Sequence, residues 1–256
     1  MLTNYHTHTA RCHHAKGEDE EYVSSAIKAG YSILGFSDHA PYLYPDGYVS
    51  WYKMSPEQAP EYASSIFALR EKYKEEITLN LGFEAEYYPD IFDKTLDFWK
   101  SLGAQYIILG QHFVNDEVVN REPSSAPSTK DQLRRYTDRC IAGIETEKFS
   151  YLAHPDMLKY ADCDEDFYAH EVKRLVECAN RHETPLEINL LGLYEGRHYP
   201  NRNFWRAAAE MNPTVIIGTD AHIPASLENM NCRRAAKKLA EEFGLKLIEK
   251  LEFKTL

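Results

Sequence analysis

The sequence lacks any apolar run that approaches the roughly 20 residues a membrane-spanning helix needs. It also lacks, near residue 1, the basic segment followed by an apolar segment that marks a secretory leader; the chain runs directly into a histidine-rich stretch instead. We therefore expect a soluble, cytoplasmic protein that does not associate with a membrane.

Two further scarcities restrict the possible function classes. The five cysteines form an odd set without a C-x-x-C pair, which argues against a disulfide framework and against a zinc ribbon. Lys and Arg total 29 against 40 Asp and Glu, giving a net charge of −11, and no Lys/Arg-rich block occurs. We expect no general nucleic-acid partner, because affinity for a phosphate backbone requires a basic surface.

The overall composition is that of a globular protein, with 43% hydrophobic and 27% charged residues in a chain of 256. No linker, internal repeat or low-complexity block interrupts the sequence. We therefore expect one domain over residues 1–256.

Histidine is concentrated close to residue 1, in the stretch HTHTARCHHA. His6 and His8 alternate with threonine, and a spacing of two on a β-strand directs both imidazoles to one face. Imidazole is the commonest nitrogen ligand of transition metals, so this pair predicts half of a metal site.

Short β-branched or aromatic segments alternate with longer amphipathic segments in seven pairs. Ser55, Pro56 and Glu57 predict the start of the second helix, and Gly30 and Gly103 predict helix ends. Strict alternation predicts parallel strands joined by helical crossovers, and hence an α/β fold that is either a closed barrel or a doubly wound sheet. The predicted strands are residues 2–8, 32–39, 78–87, 105–112, 150–154, 186–190 and 214–220, and the predicted helices are residues 18–29, 56–75, 92–102, 130–147, 165–182, 202–211 and 226–243.

Six of the seven predicted strands carry metal-ligand residue types at their carboxyl ends. These ends meet at one mouth in barrels and in open α/β sheets, so we expect a single metal centre there. Nitrogen and carboxylate donors without thiolates favour zinc, manganese or iron. The residues in question are His6 and His8, Asp38 and His39, Glu84 and Glu86, His112, His154 and Asp156, and Asp220 and His222.

The number of candidate ligands exceeds the three or four that one catalytic ion uses, so we expect two to three divalent ions. Clusters of this kind activate water and stabilise the attacking and leaving oxygens of a phosphoryl group, which predicts hydrolysis of a phosphate ester. The nine candidate ligands are His6, His8, His14, His39, Glu84, His112, His154, Asp220 and His222.

The motifs HTHTARCHHA, GFSDHA, GFEAEY, GQH, AHPD and GTDAH, in this order, resemble those of the polymerase-and-histidinol-phosphatase (PHP) family. The resemblance covers essentially the whole chain. It implies a distorted, TIM-like (β/α)7 barrel with a trinuclear metal centre at the mouth formed by the strand carboxyl ends. The chain length and the C-x-H-A sequence after the first motif resemble stand-alone members of the family, which implies a metal-dependent phosphomonoesterase that hydrolyses L-histidinol phosphate to L-histidinol and phosphate in histidine biosynthesis.

The resemblance also implies how the ligands are shared. His14 is taken rather than His13, because the family places a ligand six residues after the second histidine of the opening motif; His13 is then an outer or substrate-facing residue. Glu86 faces the same side of its strand as Glu84 and could contribute. The implied sites are His6, His8, Glu84 and Asp220 for the first ion, Glu84, His112 and His154 for the second, and His14, His39 and His222 for the third, with Asp220, Glu84 and His222 as the catalytic residues.

Substrate phosphate needs cations besides the metals. Arg197 and Lys159 follow strand ends and should reach the mouth, although either could be an ordinary surface charge. With His13 they form the predicted substrate-binding set.

Four further assignments remain open at this point. Asp38 either orients His39 or a neighbouring ligand, or caps the following turn. Glu187 and Asn189 face the pocket or line the barrel. The aromatic loop, residues 41–53, either stacks on an imidazole ring of the substrate or packs as a lid. The polar segment 115–130 is either an active-site lid or a surface excursion.

Two other functions compete with this prediction. Related domains proofread DNA, so a phosphodiesterase or nuclease is the alternative hydrolase, together with a phosphatase for another small ester; the acidic composition disfavours a nuclease. A non-catalytic metal-binding module is the third possibility. The complete set of ligand motifs disfavours it.

Overall fold

The computed structural model describes residues 1–118 and 121–256. The predicted polar segment 115–130 therefore falls partly, at residues 119 and 120, outside the described residues. The described part of that segment runs back beside the end of a central strand, through an antiparallel bridge between Phe113 and Pro123.

The fold is built on a curled sheet of parallel strands. The described strands are β1 (Thr3–Asn4), β2 (Ile33–His39), β3 (Thr78–Ala85), β4 (Tyr106–Leu109), β5 (Pro127–Ser128), β6 (Phe149–Leu152), β7 (Lys159–Tyr160), β8 (Leu186–Asn189), β9 (Thr214–Gly218) and β10 (Lys246–Leu247). Eight of them form one sheet in the order β1-β2-β3-β4-β6-β8-β9-β10, and β5 pairs with β7. All seven predicted strands are present, and the three short strands β5, β7 and β10 are additional.

The sheet curls until the chain beyond β1 meets the chain beyond β9. Beyond β1, Thr7 forms a parallel bridge with Ala221, just after β9. The N–H of His8 donates to the carbonyl oxygen of Ala221 at 2.9 Å, and the N–H of Ala221 donates to that of His6 at 3.1 Å. A doubly wound sheet reverses its strand order at a switch point, which does not happen here. The molecule is therefore a distorted (β/α)7 barrel, as predicted, and the doubly wound alternative is wrong.

Helices cover the outside of the sheet. They are α1 (Asp19–Ala29), α2 (Ala59–Lys72), α3 (Phe92–Ser101), α4 (Lys130–Glu145), α5 (Glu165–Arg181), α6 (Leu190–Glu195), α7 (Arg202–Ala209) and α8 (Met230–Glu242), with short 3₁₀ helices at Ala10–Cys12 and Pro224–Glu228. All seven predicted helices are present. The helix α6 was not predicted: Asn189 ends β8 and at once caps α6, its side chain accepting from the N–H of Gly192, so Leu190 belongs to the helix and not to the strand.

Two predicted helix starts are wrong. The last helix begins at Met230 and not at residue 226, because a separate 3₁₀ helix occupies Pro224–Glu228. The second helix begins at Ala59 with Gln58 as N-cap, not at Pro56. Ser55 instead opens a turn, in which its N–H donates to Oε1 of Gln58 at 2.9 Å and its carbonyl oxygen accepts from the N–H of Gln58 at 3.0 Å. The predicted helix ends are confirmed: Gly30 and Gly103 have φ angles of +83°, which glycine adopts without steric cost.

Apolar side chains fill two layers, one between sheet and helices and one inside the barrel. The inner layer includes Tyr5, Tyr106 and Leu251, and the ring of Phe253 stacks on Tyr106 with centroids 4.7 Å apart. Leu251 and Phe253 thus pack into the lower end of the barrel, which the amino ends of the strands form. Polar side chains occupy the upper end, which the carboxyl ends of the strands form. None of the helices in the described part of the chain is both long and apolar enough to cross a membrane.

Candidate metal centre

The structure brings all nine predicted ligands to the upper end of the barrel. His39 ends β2 and Glu84 lies near the end of β3; the others follow the ends of β1, β4, β6 and β9, or the first 3₁₀ helix. The innermost of them, including His6, His8, Glu84, His154 and Asp220, are buried.

The first group joins two histidines and two carboxylates. Nε2 of His6 lies 3.4 Å from Oε1 of Glu84 and 3.5 Å from Oδ1 of Asp220. Nε2 of His8 lies 3.1 Å from Oδ1 of Asp220 and 3.5 Å from Oε2 of Glu84. Both nitrogens, with Oε2 of Glu84 and Oδ1 of Asp220, are buried without a hydrogen-bond partner. Buried polar atoms without partners cost free energy, and a cation between them would satisfy all of them, so the residues fit a metal ion.

Two further groups adjoin the first through Glu84. Its Oε1 lies 2.7 Å from Nε2 of His154 and 3.4 Å from Nε2 of His112. Its Oε2 lies 2.9 Å from Nδ1 of His39. His39 in turn belongs to a group with His14 and His222, whose ligand nitrogens lie within 4.8 Å of one another. Three groups of donors thus share one buried carboxylate.

Five of the histidines have an acceptor beside the ring nitrogen that faces away from the centre. Nδ1 of His6 lies 2.8 Å from Oε1 of Glu187, and Nδ1 of His8 lies 3.3 Å from Oδ1 of Asp38. A proton on Nδ1 donates to these acceptors, so each Nε2 presents a lone pair to the centre when the ring is neutral, as metal binding requires. The other three pairs are His112 with Oε1 of Glu86, at 3.1 Å, His14 with the carbonyl oxygen of Cys12, at 2.7 Å, and His222 with the carbonyl oxygen of Asp220, at 3.1 Å.

These and neighbouring contacts decide two of the four assignments left open by the sequence, those of Asp38 and of Glu187 with Asn189. The Asp38 carboxylate lies against His8 and not against the ring of His39. Glu187 and Asn189 face the centre: Glu187 also accepts from the N–H of His154 at 3.0 Å, and Nδ2 of Asn189 donates to Oδ2 of Asp220 at 3.1 Å.

The charges of the centre are set by proximity. Burial opposes charge on His6, yet Glu187, Asp220 and Glu84 raise its pKa well above the ordinary value. The facing histidines lower the pKa of Glu84 and that of Asp220 well below their ordinary values, also against burial. In the third group, by contrast with His6, the pKa values of two histidines are lowered.

Partial burial and the rings of His222 and His8 lower the pKa of His14 to about 4. Burial and the neighbouring His8 likewise lower the pKa of His39 well below its ordinary value. Both are therefore neutral near pH 7 and able to bind a cation without losing a proton.

Two motif glycines make room for the buried carboxylates. A Cβ atom at Gly110 would overlap the side chain of Glu84, and one at Gly218 would overlap that of Glu187. The glycines of GQH and GTDAH are thus needed for close approach. Two of the ligands, His154 and Asp220, have φ angles of +30° and +53°, a strained region for residues other than glycine.

A cavity of about 540 Å³ opens onto the third group of ligands. Its wall includes the candidate ligands His14, His39, His112, Asp220 and His222 and the buried rings of Tyr52 and Phe113. The exposed residues Trp51, Arg121, Glu195 and Arg197 form its rim. A larger depression of about 730 Å³, lined by Glu20, Glu21 and Pro224 among others, contains none of the nine candidate ligands.

Of the predicted substrate residues, the structure brings only Arg197 to the cavity. Its Nε donates to Oε2 of Glu195 at 2.7 Å, and its Nη1 donates to the hydroxyl of Tyr199 at 2.7 Å. Lys159 is exposed on β7, where its strand pairs with β5, and it does not line the cavity. His13 is exposed too: it ends the first 3₁₀ helix with a φ angle of +66°, and only its neighbour His14 reaches the wall.

Sequence reasoning missed a second cation at the cavity. Arg121 lies in the segment that returns beside β4, and its Nη2 donates to the hydroxyl of Tyr48 at 3.0 Å. No motif marks it, since its position depends on the pairing of Phe113 with Pro123.

The comparison with known families agrees with the motifs. A family model described as PHP domain matches residues 4–190. The chain belongs to the PHP domain family. Among curated relatives, a "Probable histidinol-phosphatase" of Deinococcus radiodurans is 28% identical over 238 residues, covering 88% of each chain. A "Probable phosphatase" of Shewanella loihica is 25% identical over 232 residues, covering 89% of this chain and 80% of the relative.

A solved structure shares the whole fold of this PHP protein. Histidinol phosphate phosphatase of Lactococcus lactis, crystallised with zinc, L-histidinol and phosphate, aligns with a TM-score of 0.75 at 16% identity, covering 98% of both chains. The metal-dependent tyrosine phosphatases of Bacillus subtilis and Streptococcus pneumoniae give a TM-score of 0.53 at 12% identity, covering 100% of both chains. These likenesses confirm the distorted barrel.

Proposed function

We propose that this PHP protein is a metal-dependent phosphomonoesterase that hydrolyses L-histidinol phosphate to L-histidinol and phosphate. The observation that carries the proposal is the convergence of nine nitrogen and carboxylate ligands, in three groups around Glu84, at the floor of a cavity with arginine at its rim. The names of the Deinococcus and Lactococcus proteins support the choice of substrate.

The donor set assigns ligands to two or three ions of zinc, manganese or iron. Bound there, such ions would stabilise negative charge on the phosphoryl oxygens and lower the pKa of the attacking water. The ligands follow the three groups: His6, His8, Glu84 and Asp220; Glu84, His112 and His154; and His14, His39 and His222.

Among the proposed catalytic residues, Glu84 is 1% exposed and cannot touch the substrate, so it acts by holding the centre together. Asp220 and His222 both line the cavity. The low pKa of Asp220 keeps it a carboxylate, which is able to accept a hydrogen bond from the attacking water.

Arg197 is assigned to the substrate phosphate. It lies at the rim, and a guanidinium binds a phosphate dianion through two parallel hydrogen bonds. Glu195 orients it through the ion pair between them.

The leaving group is assigned to the part of the cavity wall that Trp51 forms. Trp51 is 68% exposed although it is the largest type of apolar side chain, and it lines the cavity beside Tyr52. An exposed aromatic face at a substrate pocket favours stacking on the imidazole of histidinol.

Phosphate release tests the proposal. We expect metal-dependent release from L-histidinol phosphate and much slower cleavage of bis(p-nitrophenyl) phosphate, a diester, or of single-stranded DNA. A monoester control, p-nitrophenyl phosphate, distinguishes general phosphatase activity from a preference for histidinol phosphate, since the rates of phosphate release from the two monoesters are compared. Faster cleavage of the diester or of DNA would overturn the proposal in favour of the phosphodiesterase or nuclease alternative.

A further inference from the structure

A buried lysine lies directly behind the second group of ligands. Lys53 is 1% exposed, and its Nζ lies 2.8 Å from Oε2 of Glu86 and 3.0 Å from Oε2 of Glu117. We call these three residues the Lys53 cluster. Three tyrosine rings enclose the ammonium group, with centroids 4.6, 4.8 and 5.4 Å from Nζ, those of Tyr42, Tyr52 and Tyr88. Burying a lysine ammonium costs free energy unless the charge is paired, and here two carboxylates and three aromatic rings surround it.

On one side the cluster contacts a candidate ligand. Oε1 of Glu86 lies 3.1 Å from Nδ1 of His112 and accepts from the hydroxyl of Tyr52 at 2.7 Å. While Glu86 stays in place, Nδ1 of His112 keeps its proton and Nε2 remains directed towards Glu84, 3.4 Å away.

On the other side the cluster holds the aromatic loop. Glu117 accepts from the hydroxyl of Tyr48 at 2.8 Å and from Oγ of Ser50 at 2.7 Å. Both donors belong to residues 41–53, the loop that also carries Trp51 at the cavity rim. Lys53 therefore joins three segments: this loop, the end of β3 and the segment after His112.

We propose that Lys53 is a positioning residue that couples the seating of the aromatic loop to the metal affinity of His112. Removing the ammonium would leave Glu86 and Glu117 as buried carboxylates without their shared cation. Such a pair repels, and one carboxylate must move or take a proton. If Glu86 moves, the His112 ring loses the acceptor that orients it.

The inference rests on the proposed metal centre and adds a residue that is itself no ligand. Loss of an outer carboxylate that orients a metal-bound histidine costs roughly 10- to 100-fold in metal affinity. We expect a loss of that size for one ion in Lys53→Met. The ions held by the other two groups should bind as in the wild type.

The test measures binding of Co²⁺ and Zn²⁺ to chelator-treated protein, by competition with a chromophoric chelator and by elemental analysis after dialysis. Arg233→Met is the matched control, because Arg233 is a buried cation on α8 that does not line the cavity. Circular dichroism checks that each variant is folded.

A thermodynamic cycle separates positioning from general stabilisation. If Lys53 acts through Glu86, the double variant Lys53→Met/Glu86→Ala should lose no more metal affinity than Glu86→Ala alone.

Trp51 supplies a second readout, since the other two tryptophans, Trp99 and Trp205, are fully buried. Its fluorescence anisotropy should fall in Lys53→Met and not in Arg233→Met.

The outcomes are distinct. Wild-type affinity for every ion in folded Lys53→Met, or additive losses in the cycle, would overturn this inference and leave the proposed function standing. Failure of the wild type itself to bind any ion would overturn the proposed metal centre, and this inference with it. If Lys53→Met does not fold, Tyr52→Phe removes only a hydroxyl that donates to Glu86; a severalfold loss for one ion is expected there, and no loss contradicts the inference.

Discussion

Oε1 of Glu187 lies 2.8 Å from Nδ1 of His6. Glu187 is on β8, the one of the seven predicted strands that carries no predicted metal ligand, and this strand therefore still supports the metal centre. The same carboxylate accepts from the backbone N–H of His154, and its side chain fits only because Gly218 has no Cβ atom. Strand β8 thus orients ligands that follow two other strands, β1 and β6.

Glu187→Gln should weaken binding of the ion held by His6 and His8 by roughly 10- to 100-fold, because the amide is a weaker acceptor for the Nδ1 proton than a carboxylate. Chelator competition measures this loss. The matched control is Glu171→Gln, since Glu171 is an equally buried carboxylate that pairs with Arg174 on α5. Equal effects of the two substitutions would show that Glu187 matters only for the fold.

Arg197→Met should reduce kcat/KM for L-histidinol phosphate by roughly 30- to 1,000-fold, which corresponds to about 2–4 kcal/mol of lost charge stabilisation. Metal content should stay unchanged, because Arg197 contacts none of the nine ligands. Arg202→Met is the control: Arg202 pairs with Glu242 and does not line the cavity. A loss in kcat/KM below about threefold at full metal occupancy would show that Arg197 is an ordinary surface charge.

His14→Ala should remove one ion selectively, whereas His13→Ala should leave metal content at the wild-type level. The physical reason is that His14 lies in a group with His39 and His222, while His13 is exposed outside the cavity. Elemental analysis of both variants beside the wild type measures the number of ions. Equal losses would show that the assignment of the opening motif is wrong, and a single ion in fully active wild type would contradict a multinuclear centre.

Metal binding at the first group should release protons near pH 7. Burial opposes charge on His8, but hydrogen bonds to Asp220 and Asp38 raise its pKa to about 9, and the pKa of His6 is raised as well. Both rings are protonated at pH 7 in chelator-treated protein and must become neutral to bind. Affinity of this group should therefore rise with pH up to about pH 9.

The third group should behave differently, since the pKa of His14 is about 4 and that of His39 is lowered as well. Titration calorimetry in buffers of different ionisation enthalpy counts the released protons. His14→Ala should lose an ion without changing that count. A count near zero for the wild type at pH 7 would contradict the prediction.

Trp51→Ala should raise KM for L-histidinol phosphate by roughly 2- to 12-fold, the equivalent of about 0.5–1.5 kcal/mol of aromatic stacking. KM for glycerol phosphate, which has no ring, should not change. Val49→Ala serves as the control, because Val49 is exposed in the same loop but does not line the cavity. A similar rise for both substrates would assign Trp51 to the shape of the pocket alone.

The sequence by itself determined the elements of the barrel and the end at which the ligands gather. Alternation of short apolar strands with amphipathic helices is a local pattern, and a polar residue at a strand's carboxyl end needs no knowledge of the rest of the chain. His6, His39, Glu84 and Asp220 could therefore be assigned to one mouth from their positions alone.

Two of the predicted boundaries that are wrong depended on competition between local hydrogen bonds. Ser55 has the composition of an N-cap, but its turn with Gln58 delays the helix to Ala59. The sixth strand was predicted to run to Leu190, but Asn189 ends β8 and caps α6.

Only the tertiary structure decided what surrounds the centre. The contacts of Lys53 with Glu86 and Glu117 join residues 33 and 64 positions apart, and the pairing of Phe113 with Pro123 brings Arg121 to the cavity rim. Lys159, which follows a strand end just as Arg197 does, lies outside the cavity. Charge pairs between distant loops have no periodicity in the sequence, because they depend on how the loops fold over the finished barrel.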